Sequence, residues 1–129
     1  MREKIICIID DDPIYQIITQ KIIGKTKIAK KIVSYQNGFE AIENIKLLPS
    51  EELPDIILLD IDMPVTDGWE FMEAFGQLQL EEKKITVYIV SSSIAATDKE
   101  KARTFKGIAG YLTKPIMLED ILKIAEAGQ

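Results

Sequence analysis

The chain alternates short apolar runs with longer segments in which apolar and polar residues mix. The apolar runs lie at 5–9, 56–59, 87–90 and 108–112, with a weaker run around Ile32-Val33. Runs of this length are typical of strands buried on both faces of a parallel sheet. The segments of helix length lie at about 14–24, 38–47, 67–80, 98–106 and 117–127. The pattern therefore predicts a βα unit repeated five times.

Two of the predicted helices carry apolar residues at helical spacing. The face of the first helix is marked by Ile14, Ile17, Ile18, Lys21 and Ile22. The residues of the last helix that we expect to pack mainly inward are Met117, Leu118, Ile121, Leu122 and Ala125. This spacing is typical of helices that cover a sheet.

Polar residues follow the predicted strands at the point where each strand ends. Asp10-Asp11-Asp12 follows the first run, Asp60 the third, Ser91-Ser92-Ser93 the fourth and Thr113-Lys114-Pro115 the fifth. Right-handed βαβ crossovers place helices on both faces of one parallel sheet, and ligands bind such sheets beyond the carboxyl ends of the strands. The sequence thus predicts acids, hydroxyls and a lysine at one edge.

These residue types favour phosphoryl transfer to an aspartate. Carboxylates on neighbouring strand ends repel one another, since two unit charges 4 Å apart interact by roughly 4 kcal/mol at an effective dielectric of 20. Oxygen ligands favour a hard divalent cation, and an open acidic cluster beside a lysine favours Mg²⁺. Lysine and serine can contact phosphoryl oxygens, and an aspartate can be the nucleophile that forms an acyl phosphate.

Composition excludes several other classes of protein. The chain has 129 residues and a net charge of −5, which argues against nucleic-acid and anionic-membrane partners. It lacks a signal-peptide pattern and any apolar stretch of membrane-spanning length, so we expect a cytoplasmic protein. One cysteine and no histidine exclude Cys/His metal clusters and Ser-His-Asp triads. Cys7 lies inside an apolar run and is expected in the core.

Four segments together resemble the receiver domain of two-component response regulators, of the stand-alone, chemotaxis-regulator type. They are Ile8-Ile9-Asp10-Asp11-Asp12-Pro13, Leu53 to Pro64 with Asp67-Gly68, Val90-Ser91-Ser92, and Gly110-Tyr111-Leu112-Thr113-Lys114-Pro115. The resemblance implies a doubly wound α/β fold, flavodoxin-like (βα)5, with five parallel strands in the order 2-1-3-4-5. It also implies that residues 1–129 form a single receiver domain, with no output domain after residue 127.

The resemblance assigns roles to individual residues. Asp10 and Asp11 match the acidic pair that binds Mg²⁺, with Asp11 the more direct ligand. Asp60 matches the phosphoacceptor, which also contacts the metal, and Asp62 matches the residue whose backbone carbonyl does so. These roles imply a switch that takes its phosphoryl group from a histidine kinase or a phosphotransfer protein and then binds a downstream protein target.

The remaining roles belong to the last two strands. Lys114 matches the lysine that contacts the phosphoryl group, in a Lys114–Pro115 bond that matches a cis peptide. Ser91 matches the hydroxyl that follows the phosphoryl group, and Tyr111 the aromatic residue whose rotamer reports activation. The spacing between Ser91 and Lys114 is about one residue longer than the common pattern, so Ser92 remains an alternative.

Other departures from the pattern are local. Asp12 adds a third acid, which we interpret as the N-cap of the helix beginning at Pro13 rather than as a ligand. Asp62 and Ser93 lie two residues beyond the acceptor and the hydroxyl, where the family tunes the loss of the phosphate.

Two other functions remain open at this point. Leu59-Asp60-Ile61-Asp62 also resembles the Asp-x-Asp nucleophile motif of haloacid-dehalogenase-type phosphatases, although those enzymes place the nucleophile after the first strand. The chain could also be a pseudo-receiver that binds partners but takes no phosphate. We expect a signalling receiver rather than a turnover enzyme.

Overall fold

The computed structural model of the chain describes residues 4–61, 63, 67–78, 80, 83–92, 96–105 and 107–127. The strands in this part of the chain are β1 (Lys4–Ile9), β2 (Ala29–Tyr35), β3 (Ile56–Asp60), β4 (Thr86–Ser91) and β5 (Ile108–Thr113). The helices are α1 (Pro13–Thr26), α2 (Gly38–Ile45), α3 (Gly68–Gln77), α4 (Ala96–Arg103) and α5 (Leu118–Ala127). A short 3-10 helix at Ser50–Glu52, which the pattern did not predict, precedes β3.

The strands form one parallel sheet in the order β2-β1-β3-β4-β5, which confirms the predicted doubly wound fold. Helices α2 and α3 pack on one face, where Ala41 and Phe71 are buried with side chains of β1 and β3. Helices α1 and α5 pack on the other face, where Ile23 and Ile121 are buried. The sheet is therefore covered on both sides, as its continuous apolar strands require.

Cys7 lies on β1 in the core and is 1% exposed. Burial raises the pKa of its thiol to about 12, because the thiolate would lose its hydration in this position. The expectation that Cys7 belongs to the core is confirmed.

The first helix does not bury the face that its isoleucines mark. Ile14, Ile17 and Ile18 are 67%, 55% and 40% exposed, whereas Gln16 and Thr19 are buried. Hydrogen bonds explain this orientation. The buried Gln16 side chain donates from Nε2 to backbone carbonyls at the ends of β1 and β2 and so fixes the rotation of the helix. Apolar spacing predicted the helix but not its inward face.

The last helix likewise buries fewer residues than expected. Ile121 and Ala125 pack inward, but Met117, Leu118 and Leu122 are 52%, 43% and 44% exposed. Helix α5 packs beside α1, and both helices present apolar side chains to solvent. None of the described helices has the length and apolar character needed to span a bilayer.

The start of α3 lies unusually close to the end of β3. A Cβ on Gly68 would lie 2.6 Å from Cγ2 and 2.8 Å from Cα of Ile61, so this approach requires glycine. Asp67 caps the helix in a capping box with Glu70: the Glu70 N–H donates to the Asp67 carboxylate, and the Asp67 N–H donates to the Glu70 carboxylate. The loop that follows the predicted acceptor is thus anchored at its far end.

Candidate functional site

Three carboxylates meet where the strand order reverses between β1 and β3. Asp10 directly follows β1 and Asp60 ends β3, so the parallel pairing of the two strands brings their side chains to the same edge. One carboxylate oxygen from each of Asp10, Asp11 and Asp60 lies within 4.8 Å of the others. Asp10 and Asp60 are 5% and 3% exposed, and Asp11 is exposed to solvent.

Lys114 joins this cluster from the end of β5. Its Nζ lies 2.9 Å from Oδ2 of Asp10 and 3.5 Å from Oδ2 of Asp60, with the Lys114 side chain only 9% exposed. The Lys114 backbone N–H donates to the Ser91 carbonyl over 2.9 Å, which ties the ends of β4 and β5 together. The Lys114–Pro115 peptide bond is cis, as the resemblance implied.

The carboxylates determine the charge state of Lys114. Burial alone lowers its pKa, but the hydrogen bond and charge of Asp10, together with the charge and hydrogen bond of Asp60, raise it more. The net shift is above the usual lysine value. Lys114 is therefore a fixed positive charge beside Asp60 at neutral pH.

The start of α1 organises the acidic loop. Asp12 is the N-cap predicted from the sequence, and its Oδ1 accepts from the N–H groups of Ile14 and Tyr15. The Asp12 N–H donates to Oδ1 of Asp10 over 2.9 Å. Gln16 Nε2 donates to the carbonyl of Asp10 over 3.0 Å. Asp10 is thus held through both its backbone and its carboxylate.

The same turn of α1 brings an aromatic ring into the site. The Lys114 Nζ lies 4.4 Å from the centroid of the Tyr15 ring. Tyr15 lines an open pocket of about 410 Å³, whose walls are formed by Asp11, Asp12, Tyr15, Asp60, Ser92 and Lys114. A pocket with acidic and basic walls that lead to a buried aspartate can admit a small anion or the side chain of a protein partner.

The two candidate hydroxyls occupy different environments. Ser91 is fully buried at the end of β4 and, by strand alternation from Ile89, points to the face of the sheet on which Tyr111 packs. Ser92 is exposed and belongs to the pocket wall beside Asp60 and Lys114. Ser91 thus lies on the side of Tyr111, whereas Ser92 lines the pocket, so both remain candidates for the hydroxyl that contacts the phosphoryl group.

Aromatic contacts link the rest of the site to α4. The Tyr111 hydroxyl donates to the Lys99 carbonyl of α4 over 2.9 Å. Trp69, in the first turn of α3, stacks on Phe105 with ring centroids 5.8 Å apart. The Nζ of Lys101 lies 5.2 Å from the Trp69 ring centroid. Helix α4 is therefore held from both β5 and α3.

The donor set fits the cation expected from the sequence. Asp10, Asp11 and Asp60 offer hard carboxylate oxygens at mutual distances suited to one small ion, and Mg²⁺ prefers such ligands. Asp62, the predicted carbonyl ligand, and Ser93 lie outside the described residues.

Comparison with known proteins decides the family. A family model described as the response regulator receiver domain matches residues 6–126. The chain belongs to this family. Receiver domains are the phosphorylation-activated switches of two-component systems, which agrees with the fold and with the pocket. The haloacid-dehalogenase-type alternative is left without support.

Several receiver-containing proteins are similar over nearly the whole chain. The probable C4-dicarboxylate response regulator DctR of Bacillus subtilis is 32% identical over 127 residues, which are 97% of this chain and 52% of DctR. Protein PilH of Pseudomonas aeruginosa is 30% identical over 122 residues, which are 95% of this chain and 94% of PilH. This receiver therefore spans about half the length of DctR and nearly all of PilH.

A solved structure supports the same assignment. The crystal structure of a two-component response regulator from Cytophaga hutchinsonii matches with a TM-score of 0.90 at 28% identity, covering 99% of this chain and 98% of that one. The topology of this receiver is therefore the topology of a known response regulator.

Sequence reasoning missed two residues of the site, Tyr15 and Gln16. Both lie in the first turns of α1, four and five residues after Asp11, on the helix that leaves the acidic loop. When a helix begins at a site, residues about one turn along it can face the same site. The four- and five-residue separations from Asp11 were therefore the signal available in the sequence.

Proposed function

We propose that Asp60 accepts a phosphoryl group from a phosphohistidine, with Mg²⁺ held by Asp10, Asp11, Asp60 and the backbone carbonyl of Asp62. The observation that carries this proposal is the convergence of three carboxylates and the Lys114 ammonium at one open pocket, which Asp11, Asp60 and Lys114 line. Asp10 already uses its two oxygens for the Asp12 N–H and for Lys114, which favours exposed Asp11 as the more direct ligand.

The chain's own residues supply positioning and charge for the transfer. A carboxylate oxygen of Asp60 attacks phosphorus in line, forming the O–P bond as the P–N bond to the donor imidazole breaks. The electron pair of that bond remains on the imidazole nitrogen. Lys114 offsets negative charge on the phosphoryl oxygens from its place beside Asp60. Bound Mg²⁺ would supply further positive charge to those oxygens.

The output step of the proposal joins the phosphorylated pocket to α4. Ser91 donates to the phosphoryl group, with Ser92 as the alternative, and Tyr111 turns inward once that space is free. Such a turn breaks the hydrogen bond from Tyr111 to Lys99 and so releases α4 from β5. The switch is then a population shift between two arrangements of α4, β5 and α5.

The partners belong to the same proposal. The donor is a histidine kinase or a phosphotransfer protein, and the output is binding to a downstream protein. A stand-alone chain, a cytoplasmic location and the absence of nucleic-acid and membrane partners stay predictions from the sequence.

Phosphorylation with a small donor tests the proposal directly. We expect acetyl phosphate and Mg²⁺ to label the protein once, and Asp60→Asn to abolish the label, as measured by intact-mass spectrometry. Asp120→Asn is the matched control, because Asp120 accepts the Met117 N–H at the start of α5 and takes no part in the pocket.

Four other outcomes would contradict parts of the proposal. An unlabelled protein would identify a pseudo-receiver, and continued turnover of small phosphate esters would favour a phosphatase. A label retained in Asp60→Asn would place the acceptor elsewhere. If Ser92→Ala, but not Ser91→Ala, abolished the phosphorylation-dependent change in binding to a downstream protein, the hydroxyl role would belong to Ser92.

A further inference from the structure

Among the described residues, the Lys114 ammonium contacts two carboxylates and one aromatic ring. Asp10 and Asp60 contact it at 2.9 and 3.5 Å, and the Tyr15 ring centroid lies 4.4 Å away. That distance is well inside the roughly 6 Å range of cation–π attraction. The Lys114 side chain is 9% exposed, so the contact forms where water screens it little.

Hydrogen bonds fix the turn of α1 that carries Tyr15. The Tyr15 N–H points to the N-cap, with 3.4 Å to Oδ1 of Asp12. The next residue, Gln16, is clamped by its donor contacts to the carbonyls of Asp10 and Tyr35, each at 3.0 Å. Tyr15 is therefore positioned by the same loop that positions the acidic pair.

Unlike the two ion pairs, the ring contact occupies no carboxylate oxygen that the cation or the phosphoryl group would need. The oxygens of Asp10 and Asp60 that hold Lys114 belong to residues that would also serve the cation and the phosphoryl group. Each ion pair therefore weakens when those oxygens are engaged elsewhere. The Tyr15 ring uses none of them, so its attraction for the ammonium persists through the transfer.

We propose that Tyr15 is a positioning residue of the receiver pocket, whose ring holds the Lys114 ammonium beside Asp60 while the carboxylates are occupied. Lysine has a flexible four-carbon stem, and without the ring its ammonium has more positions available. The inference rests on the proposed role of Asp60, and its tests separate the two.

Substitution of the ring tests the effect on phosphoryl transfer. Tyr15→Leu lowers the rate of labelling by acetyl phosphate by about threefold to tenfold, the range expected for losing one such contact. Tyr15→Phe keeps the ring and restores most of the rate. Ile17→Leu, at a position on the same helix that is 55% exposed, is the matched control.

Fluorination separates attraction from packing. Phenylalanine with one, two and then three ring fluorines at position 15 weakens the negative face of the ring while changing its shape little. We expect the logarithm of the labelling rate to fall steadily with fluorine number. A flat series together with a slow Tyr15→Leu variant would assign Tyr15 to packing and overturn the proposal.

A second measurement needs neither Mg²⁺ nor a phosphoryl donor. Reductive methylation followed by peptide mass spectrometry compares Lys114 with Lys21, an exposed lysine of α1. We expect Tyr15→Leu to raise the ratio of Lys114 to Lys21 modification by about threefold or more, since the ammonium loses one of its covers. An unchanged ratio would overturn the ring contact.

The two measurements distinguish failure of this inference from failure of the proposed function. If the unchanged protein takes no label on Asp60, the proposed function fails, and the methylation ratio still decides whether Tyr15 covers Lys114. If the label appears but neither the rate nor the ratio responds to Tyr15, the inference fails alone. Circular dichroism of each variant verifies that it is folded.

Discussion

Two buried ionisable side chains have raised pKa values for different reasons. For the Cys7 thiol the cause is burial, whereas for Lys114 the carboxylates of Asp10 and Asp60 outweigh burial. Both shifts favour the protonated form in the folded state. The stability that they contribute is therefore present at neutral pH and is lost as pH rises.

Cys7 gives this effect a defined pH window. The thiol titrates near 9.0 when unfolded and at about 12 when folded, so the unfolded state loses its proton first. Between these values the free energy of unfolding falls by about 1.4 kcal/mol per pH unit on account of this group. Urea unfolding of the unchanged protein and of Cys7→Val, from pH 7 to pH 10.5, measures the difference between their slopes.

The comparison cancels titrating groups that do not interact with Cys7, such as Lys114, because both proteins contain them. The Tyr35 pKa, which the Cys7 charge helps to raise, changes together with the thiol. We expect parallel pH dependences below pH 9 and a steeper loss for the unchanged protein above it. Equal slopes throughout would show that the thiol is not shielded from water.

For individual residues, the sequence predicted the positions of the charged side chains better than those of the neighbouring uncharged ones. The positions of Asp10, Asp60 and Lys114 could be predicted because each lies at or directly after the end of a strand in the sheet. Tyr15 and Gln16 could not be assigned in the same way, because their direction depends on how α1 is rotated. That rotation is set by the hydrogen bonds of Gln16 to strand carbonyls, which no apolar pattern encodes.

At the scale of elements, the start of α3 packs tightly against the residue that follows β3. Gly68 approaches the backbone of Ile61 too closely for any side chain. Asp67 fixes the start of the helix through its capping box. Together they fix the start of α3 against Ile61.

We expect Gly68→Ala to lower the free energy of unfolding by about 1–3 kcal/mol, because its Cβ forces the backbone of Ile61 to move. Gly76→Ala is the matched control in the same helix, where the added Cβ meets nothing within 4 Å. That variant should gain about 0.5–1 kcal/mol from the better helix propensity of alanine. Urea titration measures the change in the free energy of unfolding for each variant. Equal changes would show that the contact between Gly68 and Ile61 does not require glycine.

Predicted and observed elements agree in order and type but differ at their ends. The parallel sheet followed from buried β-branched runs, and each predicted helix is present, with α4 beginning two residues earlier than expected, at Ala96. The inward faces of α1 and α5 were predicted less well. An apolar residue at the right period can face either the sheet or the surface, and contacts with other elements decide between the two.

At the scale of the whole molecule, apolar side chains lie on the surface beside the acidic pocket. Ile14 and Ile18 of α1 are 67% and 40% exposed, and Ile14 precedes Tyr15, a residue of the pocket wall. Under the proposed function, a protein that donates a phosphoryl group to Asp60 would contact this surface. A small donor such as acetyl phosphate need not.

Ile14→Ser and Ile18→Ser should therefore lower the efficiency of transfer from a phosphorylated kinase or phosphotransfer protein by about tenfold each. Labelling by acetyl phosphate should be unaffected, because neither side chain lines the pocket. Leu47→Ser, at a residue that is 78% exposed and follows α2, is the control on the other face of the sheet. Equal losses with both donors would contradict a docking role for α1.

The stacking of Trp69 on Phe105 has a practical consequence for following the switch. Trp69 belongs to α3 and is the only tryptophan in the sequence, while Phe105 lies just beyond the end of α4. Any displacement of α4 relative to α3 alters what surrounds the indole, and its fluorescence emission with it. Under the proposed release of α4, the protein carries an intrinsic optical probe of its own activation, readable in real time without a dye.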